Sequence, residues 1–151
     1  MDKQVTEKTN VRVLVLEDSL ERIKRFKAFF GVHNNFVFEA DFTDNADHAI
    51  ALFQKNPYDL LFLDHDLDEG SNPDPNNNGK RFTASLIGNP RAGQVAMAVV
   101  HSINPMGNPA MCEDLKSAGI WCQGIPWVWE RLDTITGRLA RQMAVKREAT
   151  R

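Results

Sequence analysis

The chain has 151 residues, of which 42% are hydrophobic and 25% are charged, and its formal net charge at pH 7 is −2. This length predicts one domain around one core, and this composition is that of a folded protein rather than a disordered chain. A net charge this small gives no long-range attraction to nucleic acid, so we expect no readout of duplex DNA.

The longest apolar runs have the length of strands, well short of the ~20 residues that a membrane span requires. The first ten residues also lack the apolar segment of a secretory signal. We therefore expect a cytoplasmic protein that makes no membrane contact. Cys112 and Cys122 fit neither a disulfide framework nor a metal-binding spacing, and we expect both to be thiols.

Five apolar runs alternate with segments of helical periodicity along the chain. The predicted strands cover residues 11–18, 35–42, 58–67, 94–102 and 120–127. The predicted helices cover about 19–31, 45–56, 79–87 and 108–119, with a last helix from 128 onward. Because strands alternate with helices and no hairpin signal occurs, the sequence predicts an α/β fold, with one doubly wound five-stranded parallel sheet covered by helices on both faces.

No internal repeat or domain boundary is visible in the sequence. We predict a flexible N-terminus at 1–10, the domain itself at 11–140, and a C-terminal helix end or basic tail at 141–151. The segment 68–80 is rich in Asn, Pro, Gly and Asp, which favour turns and oppose helix and sheet. An irregular loop of this length in a compact domain is more often functional or mobile than idle.

Polar residues follow three of the predicted strands. They are Glu17 and Asp18 after the first, Asp64, His65 and Asp66 at the end of the third, and His101, Ser102 and Asn104 after the fourth. Ligands of an open parallel sheet bind outside the carboxyl ends of its strands, so these groups converge if the three strands are neighbours. Asp64 and Asp66 are two residues apart and would face the same side of an extended strand.

A cluster of carboxylates needs a cation, a shared proton or a basic partner. Two such charges about 4 Å apart repel by roughly 4 kcal/mol at an effective dielectric constant near 20. Oxygen-rich sites suit Mg²⁺, Ca²⁺ or Mn²⁺, and an added imidazole favours a transition metal such as Mn²⁺. We therefore predict a divalent metal, Mg or Mn, held by Glu17, Asp18, Asp64 and Asp66. Structural alternatives are that Asp18 favours the start of the next helix and that His65 is a packed, hydrogen-bonded side chain.

The order of elements resembles the receiver domain of response regulators over about residues 11–140, with "VLVLEDS" at the end of strand one and "DLLFLD" at the end of strand three. This resemblance implies the strand order 2-1-3-4-5 and Mg²⁺ held by Glu17 and Asp18. It also implies phosphoryl acceptance by Asp64, with Ser102 at the position of the Ser or Thr of that family.

Two features depart from an ordinary receiver domain. The fifth strand, "WCQGIPW", has no lysine to sense a phosphoryl group, and the nearest lysine, Lys116, lies on the preceding helix. The motifs "DHDL" and "HSINP" are also not part of the receiver pattern. Together with the acid pair, they resemble a divergent branch, the cyclic-phosphate-processing receiver-like domains, whose pattern includes "DHDL" and "HS-x-N".

The resemblance to this branch implies processing of cyclic phosphates on nucleotides or RNA ends. We accordingly predict a metal-assisted phosphoesterase that acts on a cyclic or terminal phosphate of a nucleotide or RNA end. The predicted catalytic residues are Asp64, as metal ligand or nucleophile, and His65 or His101 as general acid or base. The alternatives are a phosphorylation-controlled signalling receiver and a non-catalytic module that binds or sequesters a nucleotide.

Three residues are predicted to bind the phosphate of the substrate: Arg22, one turn into the first helix, Ser102 and Asn104. The loop 68–80 is predicted to close over the substrate and exclude water.

Overall fold

The computed structural model describes residues 8–31, 33, 35–67, 74–102, 107–125 and 128–149. Its parallel strands are β1 (Thr9–Leu16), β2 (Phe36–Thr43), β3 (Leu60–Leu63), β4 (Met97–Val100) and β5 (Cys122–Gly124). They form one sheet in the order β2-β1-β3-β4-β5, which confirms the predicted topology.

Helices connect the strands. They are α1 (Leu20–Gly31), α2 (Ala46–Lys55), α3 (Gly79–Leu86), α4 (Gly107–Ser117) and α5 (Leu132–Ala149). Two short 3₁₀ helices, Pro90–Gln94 and Val128–Arg131, precede β4 and α5. In the part of the chain given above, no helix is long and apolar enough to cross a bilayer.

The core consists of two apolar layers, one on each face of the sheet. Leu14 of β1 belongs to the layer that includes Phe53 of α2 and Phe82 of α3. Its neighbour Val15 belongs to the opposite layer, with Phe26 of α1. All residues of β3 and β4 are buried, as expected for the central strands of a sheet that is covered on both faces.

The third strand is shorter than predicted. The predicted strand continues to Leu67, but the chain leaves the sheet after Leu63, and Asp66 instead pairs in an isolated antiparallel bridge with Asn78. Gly79 then begins α3 so close to this turn that a Cβ atom at Gly79 would lie 2.1 Å from the backbone oxygen of Asp64. The extended strand on which the predicted shared face of Asp64 and Asp66 depends therefore ends before either residue.

The described end of the loop 68–80 is anchored to α2. The Asn77 side chain accepts the Ala46 N–H at 2.7 Å and donates to the Asp44 carbonyl at 3.1 Å. Asn78 caps α3 by accepting the Arg81 N–H at 2.9 Å. Residues 68–73 lie outside the described part, so the predicted closure of this loop remains a prediction.

The two cysteines form a disulfide between α4 and β5. The Cα atoms of Cys112 and Cys122 are 5.7 Å apart, because the chain turns back at Gly119 after α4, and the helix packs alongside the strand that follows it. Gly119 makes this turn with a φ angle of +82°, a conformation that glycine adopts without steric cost. The expectation of two thiols is therefore wrong.

Candidate metal centre

Three buried side chains meet where the central strands end. One ligand atom from each of Glu17, Asp64 and His101 lies within 4.8 Å of the others. The residues are 0%, 5% and 4% exposed, respectively, so the cluster is shielded from bulk water.

The register of the sheet creates this cluster. Leu16 pairs with Leu63, and Leu63 pairs with Val100, so the residues that follow these three lie at the same level of the sheet. Each of them also donates its N–H to the neighbouring strand: Glu17 to Thr43, Asp64 to Leu16 and His101 to Leu63, at 2.9, 3.0 and 2.9 Å. Backbone hydrogen bonds therefore fix the positions from which the three side chains converge.

His101 has an unusual environment for a buried histidine. Neither of its ring nitrogens makes a hydrogen bond with any described residue, and its Nε2 atom lies 3.8 Å from Glu17 Oε2. The ring packs edge-on against Phe26, with centroids 5.2 Å apart. Because an unsatisfied buried polar group is costly, an imidazole in this state is suited to bind a ligand. Two carboxylates and an imidazole form a donor set that suits Mn²⁺ and also accommodates Mg²⁺, so the residues fit the predicted metal.

Arg22 neutralises part of the acidic charge. Ser19 caps α1 by accepting the Arg22 N–H at 3.3 Å, and this first turn directs the guanidinium back over the acids. Its Nε atom donates to Glu17 Oε1, while Nη2 lies 3.4 Å from both Glu17 Oε2 and Asp64 Oδ2. Nη2 is also 3.8 Å from Asp18 Oδ1.

The pKa values of the two buried carboxyl groups are shifted in opposite directions. Burial, followed by contact with Glu17, raises the pKa of Asp64 to about 8. Burial also acts to raise the pKa of Glu17, but contacts with His101, Asp64 and Arg22 outweigh it and lower the pKa to about 2. Near neutral pH and without a metal, the pair therefore shares one proton, which is held mainly by Asp64.

One known protein family is similar to this chain over much of its length. A sequence profile described as "Cyclic-phosphate processing Receiver domain" matches residues 13–117, which run from the middle of β1 to the end of α4 and include all three cluster residues. The chain belongs to this family. No curated protein sequence is significantly similar to this receiver domain.

Solved response-regulator receiver domains share its fold. The Mn(2+)-bound form of response regulator Rcp1 has a TM-score of 0.56 at 18% identity, over 76% of this chain and 79% of that chain. The signal receiver domain of an HD domain-containing protein from Pseudomonas fluorescens Pf-5 has a TM-score of 0.64 at 15% identity, over 97% of both chains. The CheY-like receiver domain from Methanospirillum hungatei JF-1 has a TM-score of 0.62 at 15% identity, over 90% of this chain and 98% of that chain. At these identities the likeness shows the fold alone.

Two predicted metal ligands lie outside the three-residue cluster of the receiver domain. Asp18 lies beside it, and its backbone N–H donates to Glu17 Oε2 at 3.2 Å. Asp66 pairs with His65, whose Nδ1 atom is 2.8 Å from Asp66 Oδ1. The structure therefore brings Glu17 and Asp64 together with His101, whereas metal binding by Asp18 and Asp66 remains a prediction.

His65 packs under the start of α4. A Cβ atom on Gly107 would lie 2.5 Å from the His65 ring, so only glycine lets the helix begin this close to it. Ser102 is buried, and its carbonyl oxygen accepts a hydrogen bond from the Asn108 side chain. Asn104 lies outside the described residues. The predicted phosphate-binding roles of Ser102 and Asn104, and the catalytic role of His65, stay predictions.

Sequence reasoning assigned His101 to proton transfer and did not predict it as a metal ligand. The available signal was positional, because His101 and Asp64 each directly follow the apolar residues of a central strand. The sequence also did not predict that Arg22 would contact the acids.

Proposed function

We propose that this receiver domain binds Mg²⁺ or Mn²⁺ through Glu17, Asp64 and His101 and acts as a metal-assisted phosphoesterase. Its substrate is a cyclic or terminal phosphate of a nucleotide or an RNA end. The observation that carries the proposal is the buried His101 imidazole, which lies beside two carboxylates without a hydrogen bond to any described residue. The family description, which names cyclic phosphates, and the Mn(2+)-bound form of Rcp1 support it.

In this proposal the phosphate binds next to the metal ion that the acid cluster would hold. A bound divalent ion would polarise a phosphoryl oxygen and make the phosphorus more open to attack. Arg22 contacts Glu17 and Asp64 of this cluster, and its side chain is 37% exposed, so its guanidinium can reach an incoming phosphate. A guanidinium can bind two phosphoryl oxygens at once, which orients the group for reaction.

His65 is better suited than His101 to move a proton. The Asp66 carboxylate accepts the Nδ1 proton of His65 at 2.8 Å and thereby fixes the lone pair on Nε2. The His65 side chain is 22% exposed, whereas that of His101 is 2% exposed and packs against Phe26. In this proposal His65 is the general acid or base and His101 is a ligand.

The experiment is turnover of 2′,3′-cyclic nucleotides and of an RNA oligonucleotide that ends in a cyclic phosphate, followed by ³¹P NMR with added Mg²⁺ or Mn²⁺. We expect a phosphomonoester product that disappears with a chelator and with Asp64→Asn. Asp47→Asn, an exposed acid on α2 that pairs with Arg81, is the matched control and should retain activity. Equal turnover by Asp64→Asn would contradict the proposed site.

A second candidate is a phosphorylation-controlled signalling receiver, which the fold and the position of Asp64 after β3 favour. The sequence between Lys116 and Lys146 contains no lysine, so strand five supplies no lysine to sense a phosphoryl group, and this counts against the second candidate. Incubation with acetyl phosphate and mass spectrometry separate the two candidates. A phosphoryl group on Asp64 without turnover of cyclic phosphates supports the signalling receiver, and nucleotide affinity without either product supports a binding module.

A further inference from the structure

The guanidinium of Arg22 binds the same carboxylates that would hold a metal ion. Nη2 lies 3.4 Å from Glu17 Oε2 and 3.4 Å from Asp64 Oδ2, and Nε donates to the other oxygen of Glu17. Glu17 is fully buried and Asp64 nearly so, which means that water does little to screen them. The acid cluster is thus already neutralised in part by a cation of the protein itself.

We propose that Arg22 is an internal counter-cation that competes with the divalent ion for Glu17 and Asp64 and leaves them when the ion binds. This inference rests on the metal-binding part of the proposed function and is independent of the reaction. It assigns Arg22 two positions, one on the acids in the metal-free protein and one away from them in the metal-bound protein.

Two physical reasons support the competition. A carboxylate oxygen that accepts from the guanidinium is not available in the same way to a metal, since both use its lone pairs. Two cations in a buried cluster also repel each other strongly, because the effective dielectric constant there is well below that of water. Either effect makes the presence of Arg22 in the cluster unfavourable once the ion is bound.

Arg22 can leave without disturbing the fold. It lies in the first turn of α1, its side chain is 37% exposed, and a long flexible stem carries its charged head. The helix cap depends on the Arg22 backbone N–H and the Ser19 hydroxyl, so movement of the side chain leaves it intact. The released guanidinium then becomes available to a phosphate.

In this proposal Arg22 lowers the metal affinity of the site, whereas a residue that only held the carboxylates in place would raise it. If Arg22 merely held Glu17 and Asp64 in place for the metal, its removal would weaken metal binding. If it competes, its removal strengthens metal binding, roughly tenfold for the loss of a partly exposed guanidinium and its ion pairs.

The experiment is a titration of metal-free protein with Mn²⁺ at pH 8, without substrate, in which free Mn²⁺ is measured by electron paramagnetic resonance. We expect Arg22→Gln, which keeps a hydrogen-bond donor and loses the charge, to bind about tenfold more tightly than the wild type. Arg25→Gln is the matched control, since Arg25 is on the same helix and pairs with Glu21 at 3.1 Å on the exposed side. It should bind as the wild type does.

A second measurement uses the wild type alone and so does not depend on the folding of a variant. The Nε–H of Arg22, protected by its hydrogen bond to Glu17, is followed by ¹⁵N NMR as Mg²⁺ is added. We expect its resonance to shift or broaden as the ion saturates the site. An unchanged resonance at saturation overturns the competition.

The outcomes separate this inference from the proposed function. If the wild type binds the metal as tightly as Arg22→Gln does, or more tightly, the competition is overturned and the metal site still stands. If neither protein binds Mn²⁺ or Mg²⁺, the competition and the metal-assisted function both fail.

Discussion

Asp64 and His101 lie side by side, each one residue beyond the last paired residue of adjacent central strands, Leu63 and Val100. The His101 N–H donates to the Leu63 carbonyl at 2.9 Å, so the backbone that carries the histidine is fixed to the strand that carries the aspartate. An acid and an imidazole placed in this way would form a preorganised pair of metal ligands, because little side-chain movement is needed to bring them together.

Replacement of His101 and replacement of His65 should have different effects on metal affinity and on turnover. We expect His101→Asn to weaken Mn²⁺ binding by about 10- to 100-fold, since it removes a nitrogen ligand from the cluster. His65→Asn should leave Mn²⁺ affinity within about twofold and lower the turnover of a cyclic phosphate by about 100-fold or more. Titration calorimetry and turnover assays on both variants test this division. The reverse pattern would make His65 the ligand and His101 the proton-transfer group.

Without a metal, stability should depend on pH in a way that is set by the buried acid pair. The pKa of Asp64 is raised from an ordinary 3.8 to about 8, so between about pH 4 and pH 8 the native state holds a proton that the unfolded chain has lost. The free energy of unfolding should fall as pH rises through this window, by an amount on the order of a few kcal/mol.

The shifted pKa of Glu17 makes the free energy of unfolding depend on pH in the opposite sense. Its pKa is lowered from 4.5 to about 2, so its contribution is present above about pH 4.5 and is lost as pH falls toward about 2. Urea unfolding between pH 3 and pH 9 checks both slopes. Asp64→Asn should remove the fall between about pH 4 and pH 8 and should stabilise the metal-free protein above about pH 8. A wild-type curve that is flat over this range would contradict the shared proton.

Reduction of the disulfide should destabilise the protein. Cys112 and Cys122 close a short loop with a sequence separation of 10, for which the chain-entropy estimate is roughly 3 kcal/mol. Urea unfolding with and without dithiothreitol measures this difference. The double variant Cys112→Ser, Cys122→Ser should be insensitive to the reductant, and equal stability of the oxidised and reduced wild type would contradict a structural role for the bond.

Gly79 should tolerate no side chain. A Cβ atom there would meet the Asp64 backbone oxygen at 2.1 Å and the Met111 side chain at 2.6 Å, so we expect Gly79→Ala to cost about 2–4 kcal/mol of unfolding free energy. Gly137→Ala is the control on α5, where, beyond the chain neighbours and the backbone of that helix, no atom of the described residues lies within 4 Å of the added group. It should stabilise the helix by about 0.5–1 kcal/mol. Thermal unfolding of both variants measures these two changes in stability.

The parallel sheet and the edge that carries the acids were predictable from long-range regularities of the sequence, whereas the strand order came from the resemblance to receiver domains. Buried parallel strands are apolar throughout, and their carboxyl ends meet at one edge. The choice between Glu17 and Asp18 was not predictable, since adjacent side chains diverge and a half-turn of the backbone decides which is buried. Glu17 is the buried one.

Two errors have a common physical origin in tertiary contacts. The predicted third strand runs to Leu67 through Asp64, His65 and Asp66, whereas the chain leaves the sheet after Leu63 and Asp66 forms a bridge with Asn78. Likewise, nothing in the spacing of the cysteines indicates a bond. The bond follows from the packing of α4 on β5.

The positions of the three cluster residues on separate strands have a consequence for folding. Glu17, Asp64 and His101 are distant in sequence and meet when β1, β3 and β4 have paired in register. Such non-local pairings form slowly compared with helices. Capture of a metal ion by this cluster would therefore mark the completion of the sheet centre, and its kinetics during refolding would report when β4 joins β3.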